Sequence, residues 1–74
     1  MKIFPNPVSD VITITGDHFS GSIEIINTLG KPVKKTEVKS QEKIQLDVRD
    51  LAAGIYFLKM KTLSEEFSSR FVKQ

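Results

Sequence analysis

Apolar and polar residues alternate one by one through much of this chain, a spacing that suits extended backbone. Lys43-Ile44-Gln45-Leu46-Asp47-Val48 places Ile44, Leu46 and Val48 on one face and Lys43, Gln45 and Asp47 on the other. Side chains of a strand point alternately to opposite faces, so such a run covers a core with one face and meets water with the other. Val11-Ile12-Thr13-Ile14-Thr15 reads the same way, with Ile12 and Ile14 inward. Ser22 to Thr28 gives Ile23 and Ile25 one face, and Ile26 breaks the pattern, as in a strand partly covered on both sides. Isoleucine, valine and threonine are frequent, whereas alanine occurs only at Ala52 and Ala53. That balance disfavours helix and favours strand.

Turn signals fall at short intervals. Gly16-Asp17 and Ser20-Gly21 bracket a predicted loop holding His18 and Phe19. Asn27-Thr28-Leu29-Gly30-Lys31 reads as a tight hairpin in which Gly30 supplies the left-handed residue. Ser40-Gln41-Glu42, Asp50 to Gly54 and Leu63-Ser64-Glu65 mark three further connections. Strands are therefore predicted near 10–15, 22–28, 32–39, 43–48, 54–62 and 66–73, with a seventh short one at 2–4. The expected fold is all-β: an immunoglobulin-like Greek-key β-sandwich of six to seven short antiparallel strands. Pro32, Lys34, Lys35 and Lys39 mark 32–39 as an edge, because Pro and Lys oppose further pairing.

Size and composition narrow the function classes. The 74 residues make one domain. There is no cysteine, which removes disulfides, thiolate metal sites and cysteine nucleophiles. A lone His18 leaves no partner for a triad or a histidine metal cluster. Adjacent acids Glu65 and Glu66 point to opposite faces of a strand and cannot share a substrate. The net charge of +2 is too balanced to imply nucleic acid. No apolar run is long enough for a membrane-spanning helix, and no secretory leader is visible at the start. The expectation is a non-enzymatic domain without cofactor or metal; if it is exported, its leader belongs to a longer precursor.

Asp50-Leu51-Ala52-Ala53-Gly54-Ile55-Tyr56 is more specific than alternation. In Greek-key sandwiches a Tyr near the start of a late strand bonds back to the corner before it. Here Leu51 would plug the core, Gly54 would allow the sharp turn, and the Tyr56 hydroxyl would pin the corner. Pro5 and Pro7 restrict Phe4 and Asn6 to extended conformations, giving the domain a stiff start. Asp10 is expected to cap the turn or to bond Asn6 backbone groups.

Four segments in order resemble one family. Phe4-Pro5-Asn6-Pro7-Val8-Ser9-Asp10 is similar to the YPNP-type start of the C-terminal sorting domain of the type IX secretion system, type A. The hairpin around Gly30-Lys31-Pro32-Val33 and the Leu51-x-x-Gly54-x-Tyr56 segment follow at near-family spacing, and Arg70-Phe71-Val72-Lys73-Gln74 looks like the basic, apolar, basic terminus. Departures are Phe4 for the usual Tyr and Gln74 after the terminal Lys. The motif residues carried over are Phe4, Pro5, Asn6, Pro7, Asp10, Gly30, Lys31, Leu51, Gly54 and Tyr56.

The resemblance implies a secretion and sorting signal, residues 1–74 being a single domain at the tail of a larger cargo precursor in Bacteroidota. Implied partners are the type IX translocon with its shuttle components, a sortase-type peptidase that removes the domain, and the cargo fused ahead of it. The implied itinerary is the periplasm in transit, then the outer membrane and cell surface or the medium. Arg70, Phe71, Val72, Lys73 and Gln74 are the expected recognition residues, with the last strand offering its edge for strand addition. Within that set Phe71, like Phe67, also reads as an ordinary core residue. Edge strands leave a homodimer open. The competing reading is an immunoglobulin- or fibronectin-like adhesion or carbohydrate-binding module, which usually displays an aromatic platform; one Tyr, five Phe and no Trp leave little for that.

Overall fold

The computed structural model describes residues 2–74. It contains five strands: β1 (Lys2–Phe4), β2 (Val11–Ile26), β3 (Pro32–Asp47), β4 (Gly54–Lys61) and β5 (Glu66–Lys73). All five belong to one sheet with antiparallel pairing, ordered β1-β2-β4-β5, with β3 also paired to β2.

The expected six to seven strands thus become five, because two predicted loops are extended backbone. Segments 10–15 and 22–28 merge into β2, and 32–39 and 43–48 merge into β3. Phe19, assigned to a loop by its Gly and Ser neighbours, is buried and anchors the middle of β2. The pairing of β2 with β3 slips between Thr15 and Phe19 and again between Phe19 and Gly21. Ser40 takes a left-handed φ of 50°, and its N–H donates to the Ser20 Oγ at 2.8 Å. Gly16, Ser20, Gly21 and Ser40 therefore bend two continuous strands without ending them, as bulges do.

The bend curls the sheet. A straight strand of 16 residues would run about 53 Å at ~3.3 Å per residue, so 16-residue strands cannot lie straight in a molecule of 30 × 22 × 16 Å. Thr15 pairs with Lys43 and Lys2 before the bend; Ser22 pairs with Glu37 and Lys61 after it. Both arms of the curl bury their inner faces in one cluster. Ile12, Ile14, Ile44 and Leu46 come from one arm and Ile23, Ile25, Leu58 and Met60 from the other. The alternation read in the sequence selects Ile12, Ile14, Ile23, Ile25, Ile44 and Leu46 among these, and Ile26 is half-buried as its broken pattern implies. Among the described residues β3 pairs only with β2, so it is an edge along its length, as Pro32 and its lysines indicate.

Candidate functional site

The chain's start and its last strand meet on one edge of the sheet. β5 pairs with β4 on one side, Tyr56 opposite Phe71 and Gly54 opposite Lys73. On its other side lies the segment Pro5–Val8. The Val8 N–H donates to the Val72 carbonyl at 2.9 Å, and the Gln74 N–H donates to the Val8 carbonyl at 2.8 Å. Asn6 continues this ladder with its side chain. Its Oδ1 accepts from the Val72 N–H at 3.0 Å, and its Nδ2 donates to the Arg70 carbonyl at 3.4 Å. The Phe4–Pro5 and Asn6–Pro7 peptide bonds are both cis. Only Val8 of this strap is buried; Phe4, Pro5, Asn6 and Pro7 are exposed.

Within the expected recognition segment the side chains divide by alternation. Arg70 and Gln74 are exposed and Val72 is half-buried. Phe71 is fully buried, and Lys73 beside it on the same face is only 8% exposed. The Lys73 ammonium donates to the Gln74 carbonyl oxygen at 2.8 Å, so its aliphatic stem lies in the core while its charge is satisfied locally. Phe67, expected in the core with Phe71, is instead 40% exposed at the far end of β5. It stands opposite the buried Met60, one pair from the end of the β4–β5 ladder.

The corner before β4 is built as its sequence implies. The Tyr56 hydroxyl donates to the Ala52 carbonyl at 2.7 Å, and the ring stacks on Phe71 with centroids 5.7 Å apart. Leu51 packs against the core cluster, and Gly54 has φ +152°, a conformation side-chain-bearing residues rarely adopt. Just ahead of it, Asp47 accepts from the Arg49 guanidinium at 2.7 Å and from the Arg49 N–H at 3.0 Å. These bonds hold the Asp47 carboxyl well below the usual carboxylate range, and the same pair raises Arg49 further. Asp10 serves this corner through its main chain, accepting from the Val48 N–H at 2.8 Å. No hydrogen bond joins its carboxylate to Asn6 among the described residues; the Asn6 side chain bonds β5.

Gly30, with φ +83°, and Lys31 close the β2–β3 hairpin as expected, but its organiser is Asn27. The Asn27 Oδ1 accepts from the Leu29 N–H at 3.0 Å and the Lys31 N–H at 2.9 Å. Sequence reading singled out Gly30 and passed over Asn27, although an Asn ahead of a glycine turn commonly bonds its own backbone in this way. The strap had no comparable signal, since its partners lie more than sixty residues away.

A family model described as the secretion system C-terminal sorting domain matches residues 2–74. The chain belongs to that family. No curated protein and no solved structure matches it. This sorting domain is thus a type IX secretion signal, in a family that is not one of enzymes. Its membership carries association with an N-terminal cargo and the type IX machinery, and export across the outer membrane to the cell surface or the medium. Of the motif residues that the resemblance names, Leu51, Gly54 and Tyr56 build the corner, Gly30 and Lys31 lie in the β2–β3 hairpin, and Asn6 joins the start of the domain to β5.

Proposed function

We propose that this sorting domain is a single folded label at the tail of a larger cargo precursor, read by the type IX translocon and its shuttle components at the terminal strand. The observation that carries the reading is the seam between Asn6–Val8 and β5, which makes the family's first and last motifs one surface. Arg70, Val72 and Gln74 face outward on that surface and make the direct contacts. Phe71 and Lys73 act as positioning residues, holding the strand against the core. The curled sheet encloses one core. We read it as an immunoglobulin-like Greek-key sandwich, and the label as one that crosses its route folded. Cargo passes through the periplasm, and a sortase-type peptidase then removes the domain at a site ahead of it.

Removal of Phe71 to Gln74 would confound recognition with unfolding, because Phe71 is core. Arg70→Glu is the cleaner test, made in a reporter fused ahead of the domain in a type IX-competent bacterium. Export should fall at least tenfold while the melting temperature of the purified domain stays within about 2 °C, and Arg70→Lys should restore part of the export, since charge alone gives some selectivity. Undiminished export of the Arg70→Glu fusion would refute the assignment.

A further inference from the structure

We propose that the outer edge of β5 from Ser68 to Val72 is a strand-acceptor site for an extended peptide of a partner protein, held closed by the Asn6 side chain. The proposal rests on the reading of β5 as the recognised strand and deepens it by naming what controls access.

Along a strand, the N–H and C=O groups of alternate residues point to opposite sides. In β5 the outward set includes Val72, whose N–H and C=O meet Asn6 and Val8, together with the Arg70 carbonyl and the Gln74 N–H. Ser68 and the Arg70 N–H belong to the same outward set, and no hydrogen-bond partner for them is present among the described residues. β5 therefore has an open stretch that runs directly into a covered one.

The cover shows what the edge accepts. Asn6 carries a primary amide, one carbonyl acceptor and an N–H donor, chemically a side-chain copy of a peptide group. It binds Arg70 and Val72 as a neighbouring strand would. Pro5 and Pro7 have no N–H to offer, so between Phe4 and Val8 the ladder depends on Asn6 alone among the described residues. The two anchors of the strap differ in kind. Val8 is fully buried, whereas both Asn6 hydrogen bonds are exposed to water. Asn6 can swing away while Val8 stays seated. That frees the Arg70 carbonyl and the Val72 N–H beside Ser68, giving a continuous run of donors and acceptors suited to strand addition. The exposed Arg70 side chain next to this run favours an acidic residue in the incoming strand.

The test uses the full 74-residue chain, wild type and Asn6→Ala. NMR-detected amide exchange should quicken about fivefold at Val72 in the variant, the scale expected for losing exposed hydrogen bonds. Ile25 and Leu58, both in the core, should exchange as in wild type and so report that the variant is folded. A capped Thr-Val-Glu-Val-Thr peptide at millimolar concentration should then shift the Ser68, Arg70 and Val72 amides of the variant, and much less those of wild type. Three results overturn the proposal: unchanged exchange at Val72, core amides accelerating in step with it, or equal peptide shifts in the two proteins. None of these readouts involves export, so a failure of the sorting reading and a failure of the gate are separately visible.

Discussion

Two side chains, Tyr56 and Asn6, each bond the main chain of another segment, yet they do different work. Tyr56 reaches back four residues to Ala52 at 2.7 Å, from a buried position stacked on Phe71. Asn6 reaches Arg70 and Val72, 64 and 66 residues on, from an exposed position. The local contact closes a short loop, and the distant one adds to a ladder already assembled. A side-chain hydrogen bond stabilises according to what surrounds it: Tyr56 is tied to the core, and Asn6 only closes an edge. The corner serves the fold, and the strap serves access to it.

The largest expected effect tests the core under both features. Phe71→Ala removes the ring on which Tyr56 stacks and should cost about 3–5 kcal/mol, measured by urea unfolding. For a domain this small that approaches its whole stability. Tyr56→Phe keeps the ring and removes the hydroxyl, leaving the partly buried Ala52 carbonyl without its partner; the expected loss is about 1–2 kcal/mol. Asn6→Ala should cost less than about 1 kcal/mol, because water replaces both exposed bonds. If Asn6→Ala proves as costly as Tyr56→Phe, the contrast between corner and strap collapses.

The smallest effect concerns pH. The Asp47 carboxyl is held low by Arg49, so its contribution is present above the ordinary carboxylate range and is lost as pH falls through the lowered value. The pair is exposed, and salt screens it. Wild type should therefore exceed Asp47→Asn slightly in melting temperature at neutral pH, and the gap should close on acidification. A gap that widens in acid would show the sign to be wrong.

What was legible in the sequence was local. Alternation selected Ile12, Ile14, Ile23, Ile25, Ile44, Leu46 and Val48 for the core because a strand's facing depends only on its neighbours. The corner was legible because Leu51, Gly54 and Tyr56 lie within one short segment. The bends were not, since Gly16, Ser20, Gly21 and Ser40 carry the same signal whether a strand ends or curls. The burial of Phe19 and the pairing that continues past it distinguish the two. Lys73 stands among the expected recognition residues through the resemblance, and two residues from Phe71 it shares the inward face. The strap depends on which strand ends up beside the start of the chain, a property of the whole fold.

These residues act as a type IX sorting label, and that role can be measured in cells. The direct measurement is the distribution of a reporter, fused behind an export signal and ahead of residues 1–74, in a type IX-competent bacterium and in the same strain with its translocon disabled. Reporter should reach the cell surface or the medium in the first strain and stay in the periplasm in the second. Periplasmic retention in both, or equal release from both, would contradict it.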